Sequence, residues 1–190
     1  ARDTQDRVTR ASSIVLLCVF IVFLADVLIS LDPGGSYMEV WLRVQWIGIA
    51  VVPAALFHLS DALLATTGRP SRGRRRFVVR IAYSIAVLLA ALALFSDSLI
   101  HGPARTGAPR MESGPTFPVY VAFLLALAAV SMINVIRARR RCLTRYTQRR
   151  MTYLLSVFLA PAWGVFPYSV LFQRLGAEQN ALLLIIVNLA

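Results

Sequence analysis

The sequence predicts an all-α integral membrane protein, a polytopic helical bundle with five complete transmembrane helices and a truncated sixth. Of its 190 residues, 58% are hydrophobic and 15% are charged, whereas soluble globular domains are roughly 45–50% apolar and about 25% charged. The apolar residues form runs of the roughly 20 residues that a helix needs to cross a bilayer core of about 30 Å. Arginines lie at the ends of these runs. A soluble domain, a disordered chain and a disulfide scaffold are therefore excluded.

The first three predicted spans follow one another through short polar connections. They cover residues 12–31, 40–64 and 77–95. Asp32-Pro33-Gly34-Gly35 follows the first span and Gly68-Arg69-Pro70 follows the second, and both are typical turn sequences. The first run is longer than the 7–15 apolar residues usual in a cleaved signal peptide, so we interpret it as a true span.

The remaining spans are separated by longer polar segments. The fourth covers residues 117–136 and follows a Gly/Pro-rich stretch, and the fifth covers residues 151–172 and follows an arginine-rich segment at 137–150. That segment is long enough to continue the fourth helix beyond the membrane before the chain turns into the fifth. The sixth apolar run, residues 181–190, rises only about 15 Å as a helix, which is half a bilayer. We therefore expect the sequence to be a fragment of a longer chain.

The distribution of arginines predicts the topology. All 20 basic residues are Arg, and 16 of them lie in the N-terminal flank or in and beside the segments 69–76 and 137–150. The positive-inside rule places these segments in the cytoplasm of a bacterial inner-membrane protein. Nucleic-acid binding is not expected, because the arginines mark the ends of apolar runs. We expect the bilayer, including its anionic lipids, to be a partner of the loop arginines. These are Arg74, Arg75, Arg76, Arg139, Arg140 and Arg141.

Four ionisable residues within the predicted spans stand out, because such groups are costly in a membrane and indicate function by default. Asp26 and Arg43 lie at similar depths and could pair across the first hairpin; alternatively, Arg43 reaches the interface and Asp26 meets water. His58 and Asp61 are three residues apart and therefore share one helix face. They could form a proton-carrying or pH-sensitive pair. They could equally be hydrogen-bonded for structural reasons, with Asp61 reaching Arg69 or water.

Catalytic and cofactor motifs are not found in the sequence. It contains neither G-x-S-x-G nor H-E-x-x-H, and we see no metal-ligand spacing or phosphate-cradling loop. We therefore expect no catalytic residue, no metal and no cofactor.

Prolines within the spans predict bent helices that leave room for a ligand. Pro53 in the second span, and Pro161 and Pro167 in the fifth, each remove a helical hydrogen bond. Polar and aromatic residues near these bends suggest a pocket in the outer half of the membrane. Its predicted lining is Arg43, Gln45, Trp46, Pro53, Trp163 and Tyr168. The alternative is that Trp41 and Trp46 are only interface anchors.

The second span carries a motif that resembles a known family. Residues 41–53 read W-L-R-V-Q-W-I-G-I-A-V-V-P, and this is similar to the W-x-R-x-Q-W/Y-x-G-I-x-x-x-P pattern of the third helix in the N-terminal seven-helix sensory region of bacterial histidine kinases. Arg149-Arg150-Met-Thr-Tyr153, followed by Ala160-Pro161 and Phe166-Pro167, resembles the sixth helix of one branch. The resemblance implies that the first span here is the second of that family and that residues 181–190 begin the seventh.

Two functions remain open at this point. The resemblance implies a non-catalytic sensory input domain that passes a ligand or membrane signal to a cytoplasmic output domain, with any kinase activity in a C-terminal domain outside this sequence. The alternative is a non-catalytic accessory subunit that packs within a larger respiratory or photosynthetic membrane complex. Small residues that permit close helix contact, such as Ala86 and Ala90 in the third span, fit both functions.

Overall fold

A computed structural model describes residues 2–31, 36–66, 73–103, 111–141, 149 and 152–153. In chain order, the elements are α1 (Arg2–Leu31), α2 (Met38–Thr66), α3 (Gly73–Phe95), β1 (Ile100–Pro103), β2 (Met111–Ser113) and α4 (Phe117–Arg141).

The described residues include four helices that are long and apolar enough to cross a membrane. They contain the first four predicted spans, so the all-helical membrane fold is confirmed for this part of the chain. The predicted fifth and sixth spans, 151–172 and 181–190, lie outside the described residues apart from residues 152–153, which are helical. The count of five complete spans and a partial sixth therefore stays a prediction.

Two helices extend further into the arginine-rich segments than the span boundaries suggest. Arg75 and Arg76 lie in the first turn of α3, and residues 137–141 form the last turns of α4. Arginine is a good helix former, and its long side chain can carry the charge to water while the backbone stays helical. The fourth helix thus continues beyond its predicted span, as expected, and part of each predicted arginine-rich loop is helix.

The helix α2 is the centre of the described bundle, because it packs against α1, α3 and α4. The most apolar window of α2 is 78% buried, whereas those of α1, α3 and α4 are 28%, 33% and 11% buried. Small residues on α2 let its neighbours approach closely, since Ala50, Ala54 and Ala55 are fully buried. The outer faces of the other three helices carry exposed large apolar side chains such as Phe20, Val87 and Leu125, as expected for surfaces that face lipid.

Gly48 marks the closest approach of α1 to α2. A Cβ atom at this position would lie 2.6 Å from the Cys18 carbonyl oxygen and 2.6 Å from Val22 Cγ2. Both distances are shorter than van der Waals contact, so a side chain at residue 48 would push the two helices apart.

A short antiparallel sheet closes one end of the bundle between α3 and α4. Its strands pair Ile100 with Ser113 and His101 with Glu112. Leu99, Ile100 and Met111 are almost completely buried in the main apolar core. We call this end of the bundle the hairpin end and the opposite end, where α1 and α3 begin, the arginine end. The sequence predicted only a Gly/Pro-rich loop here.

Candidate functional site

The motif residues Arg43, Gln45 and Trp46 point from α2 toward three different helices. Residues two positions apart on a helix are about 200° apart around its axis, so Arg43 and Gln45 lie on opposite faces. Trp46 lies about 100° beyond Gln45 and faces a third direction. Because α2 is surrounded by α1, α3 and α4, each of these side chains meets a different neighbour.

Arg43 connects α2 to the C-terminal end of α3. Its Nη1 donates to the carbonyl oxygen of Ala93 at 3.2 Å, and its Nη2 donates to Asp97 Oδ1 at 2.5 Å. On its own helix, Nε and Nη2 donate to Glu39 Oε1 at 3.1 and 2.9 Å. Ala93 lies in the last turn of α3, where carbonyl groups lack helical partners and a positive charge is favourable. Arg43 therefore satisfies this helix end as well as forming two ion pairs.

Gln45 connects α2 to α1 through Asp26. Its Nε2 donates to Asp26 Oδ1 at 2.6 Å. The sequence analysis considered Asp26 and Arg43 as partners, and the structure corrects that pairing. Arg43 faces α3 and binds Glu39 and Asp97, whereas Asp26 is bound by the neutral amide that faces α1. The faces of α2 on which Arg43 and Gln45 lie decide which groups meet.

Trp46 connects α2 to α4 through an aromatic cluster. Its ring centroid is 6.1 Å from that of Phe117 and 5.6 Å from that of Tyr120, both in edge-to-face arrangements. Trp46, Phe117 and Tyr120 are at most 2% exposed. Trp46 is therefore a core residue of the helix contact, whereas the sequence left open that it anchors the protein at the membrane interface.

Pro53 leaves a backbone acceptor on α2 that α4 satisfies. A proline has no N–H to donate to the carbonyl four residues earlier, which is that of Ile49. The Tyr120 hydroxyl donates to this oxygen at 3.2 Å. The expected loss of a helical bond at Pro53 thus creates a bond between helices.

The predicted ligand pocket divides into two parts. In the described residues, Arg43, Gln45, Trp46 and Pro53 are engaged in the contacts between helices given above. Trp163 and Tyr168 lie outside the described residues. That these six residues bind a ligand stays a prediction.

Nearer the arginine end, α2 again binds its neighbours through polar side chains. His58 Nδ1 lies 3.2 Å from the Tyr83 hydroxyl of α3, and Asp61 Oδ1 lies 3.4 Å from Arg75 Nη1 of α3. Asn134 of α4 donates to the Ser60 hydroxyl at 3.3 Å. His58 and Asp61 share a helix face, as predicted, but each has a partner on α3. For Asp61 that partner is Arg75, where the sequence analysis suggested Arg69 or water.

A cavity of about 430 Å³ opens beside His58 and Asp61, between α1, α2 and α3. Six ionisable residues line this cavity, together with three apolar ones. The ionisable residues are Arg7, Arg10, His58, Asp61, Arg76 and Arg80. From the sequence, the arginines of this set predicted topology and, for Arg76, contact with anionic lipids, but not a shared cavity. A stronger signal was present in the sequence, because Arg76 and Arg80 are four residues apart and therefore share a face of α3.

Asp97 and Tyr120 are two further residues that sequence reasoning missed. Asp97 follows α3 by two residues, and a carboxylate there is well placed to meet a cation on the neighbouring helix. Tyr120 is fully buried near the start of α4, and its role depends on the carbonyl freed by Pro53. Nothing in a single sequence indicates which helix would supply that donor.

These observations define a polytopic helical membrane protein in which polar side chains attach three helices to one central helix. The model of the family described as the N-terminal 7TM region of histidine kinase matches residues 1–187. The chain therefore belongs to this family, and the resemblance seen in the motif of α2 is confirmed. It is a non-catalytic membrane region that acts in signal transduction as the sensory input of histidine kinases. No curated protein and no solved structure matches the chain.

Proposed function

We propose that this membrane region passes a ligand signal or a change in the membrane from the hairpin end to a cytoplasmic output domain by shifting the packing of α2. In this proposal the arginine end faces the cytoplasm of a bacterial inner-membrane protein. The arginines of α1 and α3 support this orientation, because Arg7, Arg10, Arg76 and Arg80 line one cavity at that end.

The observation that carries the proposal is that one helix holds polar contacts at both ends of the bundle. At the hairpin end, α2 is bound to α3 through Arg43. Toward the arginine end, the same two helices are bound through His58 with Tyr83 and through Asp61 with Arg75. A displacement of α2 against α3 at one end would therefore change the contacts at the other.

The ion pairs of Arg43 at the hairpin end are open to competition from water, ions and ligands. Asp97 and Glu39 are 71% and 49% exposed, whereas Arg43 is 17% exposed. A signal can shift an equilibrium between two arrangements only by interacting differently with them. Water, ions and ligands can reach the carboxylates, so these ion pairs can be weakened without disturbing the buried core.

The proposal is tested by the output of the full-length native protein reconstituted in nanodiscs. Arg43→Gln removes the ion pairs at the end of α3, and we expect it to change the basal phosphorylation output by about fivefold or more, the lower limit of typical coupling between sites. Glu112→Gln is the control, because it removes a charge from β2 at the same end and leaves the contacts of Arg43 in place.

Unchanged output in the Arg43→Gln protein, with helicity and elution volume retained, would contradict the proposal. The accessory-subunit alternative predicts no phosphorylation output from this preparation. It also predicts that deleting the chain from the cells loosens a membrane complex with which it co-purifies.

A further inference from the structure

The cavity at the arginine end has a charge balance that favours an anion. Four arginines line it, with one carboxylate, Asp61. Asp61 is paired with Arg75 at 3.4 Å, so the carboxylate already has a cation of its own. The cavity therefore keeps a surplus of positive charge.

The four lining arginines come from two helices, α1 and α3. Arg7 and Arg10 are three residues apart on α1, and Arg76 and Arg80 are four residues apart on α3, so each pair lies on one helix face. Guanidinium groups bind phosphate oxygens through paired N–H donors. Four arginines along one cavity supply several such donors for a phosphate group.

His58 also lines the cavity. Its Nδ1 is occupied by the Tyr83 hydroxyl at 3.2 Å. When this hydroxyl donates to Nδ1, the ring proton is on Nε2, and Nε2 can donate to a phosphate oxygen. In that tautomer, His58 adds a neutral donor to those of the arginines.

The remaining wall and the depth of the cavity fit the phosphate region of a bilayer. Ala62, Ala65 and Val79 complete the lining, whose surface is mostly apolar. Arg10 directly precedes the apolar run of α1, and Arg76 directly precedes that of α3. This is the level at which a membrane-spanning helix meets lipid headgroups.

We propose that this cavity is a binding site for a phosphate group, with the headgroup of an anionic phospholipid as its first candidate source. A soluble phosphate compound carries the same chemistry and would enter from the aqueous side. The proposal does not rest on the proposed signalling function, because binding can be measured without any output.

The test compares two double variants of the full-length native protein by native mass spectrometry of bound lipid. Arg10→Gln/Arg80→Gln removes one guanidinium of α1 and one of α3 from the cavity lining. Arg137→Gln/Arg149→Gln is the matched control, since it removes two exposed arginines that do not line the cavity. Proteins are exchanged into nanodiscs of phosphatidylcholine alone or with phosphatidylglycerol or cardiolipin, and a parallel sample in detergent receives inorganic phosphate or pyrophosphate.

We expect the wild-type protein and the control to retain an anionic phospholipid. The cavity variant should bind this lipid at least about tenfold more weakly, because it loses charged hydrogen bonds. Competition by inorganic phosphate or pyrophosphate, with no preference among lipids, would support the phosphate site and assign it a soluble source. Equal weakening in both double variants would overturn the proposal, because it would show that only general surface charge attracts lipid.

A second variant keeps the test decisive if the cavity variant does not fold. Ala65→Leu fills part of the apolar wall and retains every arginine. We expect it to lose the bound phosphate compound as well, and full retention by a folded Ala65→Leu protein would contradict the proposed position of the site.

Discussion

At the scale of single residues, the bond between Tyr120 and Ile49 shows how a proline can hold two helices together. Pro53 cannot donate to the Ile49 carbonyl, and the Tyr120 hydroxyl does so at 3.2 Å in the buried core. An unsatisfied carbonyl is costly in a membrane, where no water replaces the missing donor. Tyr120 and Pro53 are therefore expected to depend on each other.

We predict that Tyr120→Phe destabilises the folded protein by about 1–2 kcal/mol, because the Ile49 carbonyl loses its donor. The measurement is the free energy of unfolding in mixed micelles, followed by circular dichroism. Tyr37→Phe is the control, since it removes the same atom from a side chain that is 69% exposed. In a Pro53→Ala background, residue 53 can donate to Ile49, and the effect of Tyr120→Phe is expected to shrink. An equal effect in both backgrounds would contradict this explanation.

The same scale shows why the candidate site was only partly predictable. The sequence identified Arg43, Gln45, Trp46 and Pro53 as a group, and the structure finds all four in contacts between helices. It did not identify Asp97 or Tyr120 as their partners. The partner of a side chain depends on which helix packs against its face of α2. A single sequence without contact information does not determine that arrangement.

At the scale of elements, the packing of α1 on α2 depends on the missing side chain of Gly48. A Cβ atom there would lie 2.6 Å from the backbone oxygen of Cys18, and a backbone atom can yield only if α1 moves. Val22 crowds the same position. This contact gives a physical reason for the glycine in the motif.

We predict that Gly48→Ala lowers the free energy of unfolding by about 1–3 kcal/mol, despite the better helix propensity of alanine, because the added methyl group separates α1 from α2. Gly73→Ala is the matched control, since a Cβ at that position meets nothing within 4 Å and should change stability by no more than about 0.5 kcal/mol. Thermal unfolding in detergent distinguishes the two. Equal stability of both variants would show that the helices adjust without cost.

Hydropathy predicted the four described helices well and the short sheet not at all. Apolar runs of 20 residues dictate where a chain crosses the membrane, because the bilayer leaves helices few alternatives. The strands Ile100–Pro103 and Met111–Ser113 are only four and three residues long. Their pairing accompanies the burial of Leu99, Ile100 and Met111 in the main apolar core, which is a tertiary effect.

At the scale of the whole molecule, α2 is the common partner of the other described helices. Its polar contacts reach α1 through Gln45, α3 through Arg43 and His58, and α4 through Ser60. The central claim is that these contacts make α2 respond as one unit. A disturbance at the hairpin end should therefore loosen the contacts of α2 at the arginine end.

Hydrogen–deuterium exchange of wild-type and Arg43→Gln full-length protein in nanodiscs tests this claim most directly. We predict faster exchange in residues 92–103, where Arg43 binds the end of α3, and also in residues 57–66, at the far end of α2. Glu112→Gln should leave residues 57–66 unchanged. Faster exchange that stays confined to the hairpin end in the Arg43→Gln protein would contradict the claim that α2 connects the two ends.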